Sequence, residues 1–122
     1  VNAPYVDNSY KWAGGGFLST AEDLVRFGDA MINGDFLTPA ARDELFTSLR
    51  TNGGDPTGYG LGFFVGTDAN GHRTVGHSGG SVGGTTQLIM YPEQDVVVAL
   101  IANRGGVDYR ALHEHIAASF MP

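Results

Sequence analysis

The stretch Val96-Val-Val-Ala-Leu-Ile-Ala102 is the most uniformly apolar run in this 122-residue chain. Most of its residues are β-branched, which favours an extended strand over a helix. A short run without polar positions is typical of a strand that is covered on both faces. We therefore expect residues 96–102 to form a strand in the interior of a sheet, with the rest of the fold arranged around it.

Alternating apolar residues predict further strands before this run. From Tyr59 the apolar side chains recur at every second position, and glycines between them leave the other face nearly bare, so that another element can approach closely. The pair Asn70-Gly71 is typical of a tight hairpin turn. The predicted strands, each bounded by turn residues, are 59–65, 72–77, 85–91 and 96–102.

Two helices are predicted before the sheet. Ser19 and Glu22 have the spacing of a capping box, and Gly34 ends the helical pattern that follows them. The second helix begins at Thr38, with Pro39 in its first turn. The predicted apolar faces are Leu24, Phe27, Gly28 and Met31 for the first helix and Ala41, Leu45, Phe46 and Leu49 for the second.

A third helix is predicted after the last strand, with Tyr109, Leu112, Ile116 and Phe120 on one stripe that covers a face of the sheet. Sequential strands joined by short turns form an antiparallel sheet. The fold class is therefore α+β: about four antiparallel strands with the C-terminal helix packed on them and the two early helices set apart. We expect one unit over residues 1–122, with a loop and helical part at 1–57 and the sheet and last helix at 58–122.

Composition narrows the functional classes. The formal net charge is −6, with 7 basic and 13 acidic residues and no basic cluster, which argues against a nucleic-acid partner. No apolar run approaches the roughly 20 residues needed to span a bilayer. The chain has no cysteine, so disulfides and thiolate metal sites are excluded. Its 19 glycines are about twice the usual share, which indicates that backbone contacts matter.

The most unusual stretch is Gly76-His-Ser-Gly-Gly-Ser-Val-Gly-Gly84, where one imidazole and two hydroxyls lie among glycines at a strand end. We expect residues 77–80 to form an edge of the sheet, where exposed N–H groups can pair with a peptide-like substrate or hold a developing oxyanion. Histidine can also gain or lose a proton near neutral pH. The alternative is purely structural: the glycines form a bulge and a tight turn, and His77 is a surface residue bonded to its neighbours.

Four blocks of sequence, in their order of occurrence, resemble the C-terminal half of β-lactamase-related serine hydrolases, the family of penicillin-binding proteins and class C β-lactamases. The blocks are residues 13–27, Tyr59-Gly-Leu-Gly62, Gly76-His-Ser-Gly-Gly80 and Tyr91-Pro92. Four ordered blocks identify a family more strongly than one glycine-rich stretch does. The resemblance implies a part of the β-lactamase and transpeptidase fold.

The resemblance also implies that the catalytic machinery is incomplete. In this family the nucleophile is the serine of an S-x-x-K motif, and a Y-x-N motif supplies a tyrosine that helps to move protons. Neither motif occurs in this sequence, whose one lysine is Lys11. We therefore expect the chain to be the C-terminal part of a larger domain, with both motifs before Val1, and to be inactive by itself.

The family's third motif, often K-T-G, matches His77-Ser78-Gly79. By this match His77 is catalytic, favouring a negative charge on the substrate or assisting proton transfer, while Ser78 and Gly79 bind the substrate. The N–H of Gly80 would complete the oxyanion hole, whose other donor is the N–H of the missing serine. Asn103 matches a position near the substrate carboxylate in some class C enzymes, although an Asn there is usually a turn residue.

Histidine in place of lysine leaves the substrate open. Histidine is only partly charged at pH 7, so the match does not single out β-lactams, and esters or peptides fit equally well. No cofactor or metal is expected. On a helix His113 and His115 point about 200° apart and cannot share one ion, so they belong to a solvated face, as does His72.

Two functions remain open: a serine hydrolase acting through an acyl-serine intermediate, or a non-catalytic module that binds peptides or itself through the same groove. The expected partners are a small-molecule or peptide substrate, the missing N-terminal half of the domain and a second copy of the chain. Residues 1–12 resemble mitochondrial members of the family, and bacterial members are periplasmic or secreted. Three aromatic residues of this leading loop line the groove or, as we favour, anchor the loop: Tyr5, Tyr10 and Trp12.

Overall fold

A computed structural model describes residues 2–121 of the chain. In chain order the elements are α1 (Ala21–Asn33), α2 (Pro39–Leu45), β1 (Phe64–Thr67), β2 (Arg73–Ser81), β3 (Gly84–Tyr91), β4 (Val96–Ala102) and α3 (Arg110–Ala118). The strands form one sheet in the order β1-β2-β3-β4, and each neighbouring pair is antiparallel. The predicted α+β class and the four antiparallel strands are confirmed. None of the helices in residues 2–121 is long and apolar enough to cross a membrane.

The position predicted for the apolar strand is wrong. β4 has the predicted bounds, but within residues 2–121 it pairs with β3 alone and so lies at the edge of the sheet. Val96 and Val98 are buried, whereas Ile101 is 47% exposed. An apolar strand is suited to burial of both its faces. Its composition does not determine whether it has a neighbouring strand along both its edges.

Helices cover both faces of the sheet. On one face Met31 and Ile32 of α1 pack with Phe46, Val75 and Met90. On the other face the α3 residue Ala117 packs with four residues of β3 and β4: Ile89, Tyr91, Val96 and Val98. The prediction that α3 covers one face is therefore confirmed, and the prediction that both early helices are set apart is wrong.

Gly28 explains why α1 can lie so close to the strands. A Cβ atom at this position would come within 2.5 Å of the Val97 Cγ1 atom and 3.4 Å of side-chain atoms of Leu88 and Met90. The sequence placed Gly28 on the apolar face of the helix, and it is buried there. Phe27, predicted on the same face, is 47% exposed because the buried stripe runs through Gly28, Met31 and Ile32 instead.

Gly34 ends α1 as predicted, but other helix ends differ from prediction by one residue or more. The α1 cap is Thr20, whose side chain accepts a hydrogen bond from the Asp23 N–H, and Ser19 lies outside it. Thr38 caps α2 as predicted, but α2 ends at Leu45, so that Leu49 lies beyond it and is 48% exposed. On α3 the buried stripe is Tyr109, His113 and Ala117; of the predicted stripe, Leu112 and Phe120 are exposed.

The first predicted strand is much shorter than expected. Only Phe64–Thr67 is extended, because Gly58 and Gly62 have φ values of 71° and 90° that an extended strand does not contain. Residues 58–63 form an irregular loop instead. The glycines still allow a close approach, since a Cβ atom at Gly60 would lie 2.3 Å from the Leu45 carbonyl oxygen.

Candidate functional site

The open edge is the part of β2 from His77 to Ser81, which has a partner strand on one side only. β1 pairs with β2 from Thr67↔Arg73 to Phe64↔Gly76 and no further. β3 pairs with β2 along its whole remaining length, as far as Ser81↔Gly84. The prediction that residues 77–80 form a sheet edge is thus confirmed, because the partner strand β1 stops short of them.

The register decides which backbone groups face outward from the open edge. Ser81 and Gly84 close a two-residue turn, so they form a hydrogen-bonded pair. Hydrogen-bonded and non-hydrogen-bonded pairs alternate along an antiparallel ladder. The N–H groups of Ser78 and Gly80 therefore point away from β3, and no other backbone group within residues 2–121 bonds to them. This is the geometry that an oxyanion donor or a strand-pairing substrate requires.

His77 is exposed, and its imidazole lies beside the backbone of the open edge. Its Nδ1 atom lies 2.6 Å from the carbonyl oxygen of Ser78. The ring stacks on Phe64, with centroids 5.0 Å apart and planes 25° apart, and meets Tyr59 edge to face at 5.9 Å. The imidazole is thus held at the outward-facing side of β2, beside the free N–H groups.

The structure does not bring Ser78 to the same side as His77. Adjacent residues in a strand point to opposite faces of the sheet. The Ser78 side chain borders a cavity of about 400 Å³ that is also lined by Thr85, Gln87 and residues 106–110, on the α3 side of the sheet. The Ser78 hydroxyl can therefore contact a substrate that reaches this cavity, but it does not act together with the His77 ring.

Gly79 and Gly80 differ in the space around them. A Cβ atom at Gly79 would lie 2.6 Å from the Thr86 Oγ1 atom, so the strand pairing there leaves no room for a side chain. Around Gly80 nothing lies within 4 Å of such an atom. Gly79 therefore serves the packing of β2 on β3, and Gly80 leaves its N–H open to a ligand.

Asn103 does not reach the open edge. It follows β4, is exposed, and comes directly after Ala102, which pairs with Thr85. Thr85 pairs in turn with Gly80, so Asn103 lies two strands away, at about 4.8 Å per strand. It shares the hairpin end of the sheet with the site, as a turn residue.

The leading loop reaches the same end of the sheet. The Nζ atom of Lys11 donates to the Ser81 hydroxyl over 3.1 Å, across 70 residues of sequence. The aromatic side chains of this loop are 93%, 72% and 84% exposed in the order Tyr5, Tyr10 and Trp12. The favoured prediction that they anchor the loop is therefore wrong, since an anchor would be buried against the domain.

Two of the histidines predicted to be solvated are not. His113 is 5% exposed, and its Nδ1 atom lies 3.1 Å from the hydroxyl of the fully buried Tyr91. Burial lowers the pKa of His113 and raises the pKa of Tyr91 to about 12. His72 is half-buried and bonds the Asp68 carboxylate over 2.9 Å. Residues 2–121 contain no cluster of three or more side chains that could hold a metal ion.

Sequence reasoning missed the two aromatic residues that contact His77. Tyr59 was assigned to a regular strand face, and Phe64 was assigned no role. Their rings meet edge to face with centroids 4.9 Å apart. The signal that could have identified them is the block Tyr59-Gly-Leu-Gly62, because glycines with positive φ turn the chain back towards β2.

The comparisons with known proteins agree with this geometry. The family model described as beta-lactamase matches residues 1–119. The serine beta-lactamase-like protein LACTB, mitochondrial, of Homo sapiens is 31% identical over 158 aligned positions, covering 98% of this chain and 29% of that protein. Penicillin-binding protein 4* of Bacillus subtilis (strain 168) is 31% identical over 86 positions, covering 70% of this chain and 19% of that protein.

A solved structure shares the fold. The crystal structure of a D-stereospecific amidohydrolase from Streptomyces sp. superposes with a TM-score of 0.67 at 24% identity, over 82% of this chain and 30% of that one. The chain thus spans less than a third of the length of these relatives. The match of the family model over residues 1–119 shows that the chain belongs to the beta-lactamase family.

Proposed function

We propose that this chain is the C-terminal part of a serine hydrolase and forms one wall of its active site. The observation that carries the proposal is the open edge, where an imidazole and the free N–H of Gly80 lie within three residues of each other. An acyl-serine mechanism needs a nucleophile, a base and two oxyanion donors. The open edge supplies one donor and one auxiliary base.

The nucleophile in this proposal lies outside the 122 residues. No serine here is followed by lysine three positions later, and no tyrosine is followed by asparagine two positions later. The chain spans 29% of its human relative, which leaves ample sequence for both motifs elsewhere in a full-length protein. The serine of that other part would contribute its own N–H as the second oxyanion donor.

The substrate we propose is an ester or amide with an extended acyl part. Free N–H groups at Ser78 and Gly80 can pair with such a substrate as an added strand. His77 stands where the family often has lysine, and a histidine is a weaker cation at neutral pH. A strong requirement for a substrate carboxylate is therefore not expected from this side of the site.

The surface around β4 indicates where the rest of the hydrolase would dock. β4 is an edge strand without a charged residue, and a groove of about 580 Å³ runs along it between Val25 of α1 and Ile116 and Phe120 near α3. Exposed apolar edges pair readily with another strand. We propose that the N-terminal part of the same hydrolase covers this groove, and that the isolated chain associates with itself there.

Light scattering over a range of concentrations tests this docking surface. The isolated chain should form dimers or larger species, and Ile101→Lys should shift it towards monomer because a charge on an edge strand opposes pairing. Phe27→Lys is the matched control, since both residues are 47% exposed, but Ile101 lies on the edge strand β4 and Phe27 lies on α1. The proposed docking surface would be contradicted by a wild-type chain that stays monomeric, or by equal effects of the two variants.

A fluorophosphonate probe with intact-mass analysis tests the hydrolase itself. The full-length protein should be labelled once, at an S-x-x-K serine, and should hydrolyse p-nitrophenyl esters. The 122-residue chain should do neither above the background of free histidine. Labelling of Ser78 or Ser81 in the isolated chain would show a self-sufficient site and would refute the proposal that the nucleophile lies outside these 122 residues. A full-length protein without S-x-x-K and without labelling would instead support a non-catalytic binding module.

A further inference from the structure

The imidazole of His77 is held on three sides by groups of the chain itself. A carbonyl oxygen lies 2.6 Å from Nδ1, a phenyl ring stacks on one face, and a phenol ring meets it edge to face. The contacting residues are Ser78, Phe64 and Tyr59. Such a set of contacts is unusual for a side chain on an exposed strand end, which ordinarily exchanges between rotamers.

The carbonyl contact fixes which nitrogen carries the proton. A carbonyl oxygen only accepts hydrogen bonds, so Nδ1 must donate. In the neutral ring the proton is then on Nδ1, and Nε2 presents a lone pair that accepts a proton or a hydrogen bond. Of the two roles open for His77, the neutral ring in this tautomer can assist proton transfer through Nε2, whereas a positive charge for a substrate carboxylate requires protons on both ring nitrogens.

The aromatic contacts fix the plane of the ring. Phe64 and His77 are nearly parallel at 25°, while Tyr59 is nearly perpendicular to both at 88° and 82°. Stacked and edge-to-face arrangements are the two geometries that aromatic rings favour. A half-turn of the imidazole about the Cβ–Cγ bond would put a carbon atom in place of Nδ1 and break the bond to Ser78, and a smaller rotation would break the parallel stacking on Phe64.

Phe64 does not owe its place to core packing. Its side chain is 53% exposed, whereas the adjacent residues Phe63 and Val65 are half-buried. An exposed phenyl ring gains little from burial. Its specific contacts in this structure are the rings of His77 and Tyr59.

We propose that Tyr59 and Phe64 are positioning residues that hold His77 in the Nδ1–H tautomer, with Nε2 free for proton transfer at the open edge. This rests on the proposed function for the catalytic consequence, but the tautomer itself is a property of the chain. The loop that carries Tyr59 is thus part of the site, although neither aromatic ring is assigned to touch the substrate.

The tautomer can be measured directly on the 122-residue chain by long-range ¹H–¹⁵N correlation spectra at a pH where imidazoles are neutral. Loss of one signal set in His77→Gln assigns the ring. The wild type should show Nδ1–H, whereas free histidine in water prefers Nε2–H. Phe64→Leu and Tyr59→Leu should move the His77 signals towards a mixture, and Phe36→Leu, at an exposed position away from the ring, should not.

Each spectral outcome is decisive. A wild-type ring in the Nε2–H form, or one averaged between both forms, would overturn the proposal. So would unchanged His77 signals in both leucine variants. Phe64→Tyr, which keeps an aromatic face, should retain the wild-type pattern, and this distinguishes positioning from a general effect of substitution.

Kinetics of the full-length hydrolase separate this inference from the proposed function. Phe64→Leu should lower kcat roughly 10- to 100-fold with little change in KM, since a displaced catalytic group costs about that much. If His77→Gln lowers kcat and Phe64→Leu does not, the positioning role of Phe64 is refuted, while the proposed function still stands. If His77→Gln has no effect while the spectra show the held tautomer, the catalytic role of His77 fails and the positioning stands.

Discussion

Replacing Gly80 by proline removes the backbone N–H that we assign to the oxyanion hole, and the structure indicates that it changes little else. The N–H of Gly80 points away from β3, so no ladder hydrogen bond is lost. Nothing lies within 4 Å of a Cβ atom at this position. Proline is tolerated at such outward-facing edge positions, unlike in the middle of a sheet.

The size of the effect follows from the chemistry of one lost donor. Removing a single oxyanion-hole hydrogen bond lowers kcat by about 10² to 10³, or about 2.7–4 kcal/mol of transition-state stabilisation. Because the donor acts mainly on the charge that develops in the transition state, KM should change little. We therefore expect Gly80→Pro in the full-length hydrolase to lose two to three orders of magnitude in kcat, roughly in line with other oxyanion holes.

Gly80→Ala is the matched control, because it adds a side chain in the same open space and keeps the N–H. Steady-state hydrolysis of a p-nitrophenyl ester gives kcat and KM for both variants, and thermal unfolding verifies that both are folded. A Gly80→Pro enzyme that keeps its melting temperature and a kcat within about threefold of Gly80→Ala would refute the oxyanion role.

Three further predictions concern the fold. Burial lowers the pKa of His113 in the folded chain below the unfolded-state value of about 6.5. The neutral ring therefore stabilises the fold at higher pH, and the free energy of unfolding should decline as the pH falls below about 6.5. This decline should be smaller in His113→Gln. Burial raises the pKa of Tyr91 to about 12, so stability should also fall as the pH rises above about 10; flat stability across either window by urea titration would contradict the corresponding shift. Gly28→Val should destabilise the chain by roughly 1–3 kcal/mol, because a Cβ atom there would lie 2.5 Å from Val97 Cγ1. Val97→Ala should relieve part of that loss, and strictly additive effects in the double variant would show that the close approach is not its cause.

The last two strands and the turns could be read from the sequence because they depend on local chemistry. β4 has the predicted bounds since β-branched residues between turns favour extended backbone, and β3 begins one residue before the predicted start. The Asn70-Gly71 turn lies between β1 and β2, where the Asp68 side chain accepts hydrogen bonds from the Asn70 and His72 N–H groups. The glycine-rich stretch, which the sequence predicts as an edge, forms one because β1 does not extend beside it.

The partners of each element could not be read in this way, because they depend on residues far apart in sequence. β4 is apolar enough for a sheet interior and yet lies at an edge, and α1 packs on the strands because Gly28 removes the side chain that would keep them apart. His113 has the sequence of a solvated helix face, but the stripe that α3 buries is set by its contact with the sheet.

The sequence by itself determined the class of fold, the four-strand order and the stretch where chemistry is expected, since hydrophobic period, turn residues and glycines act over a few neighbours. Only the tertiary structure decided what surrounds His77. Its imidazole meets Phe64 and Tyr59, which lie 13 and 18 positions earlier in the sequence. It does so because β1 begins at Phe64, opposite Gly76, and the loop before β1 turns back. Contacts of that kind are set by strand register and by backbone turns at positive φ, and the residue types alone do not specify them.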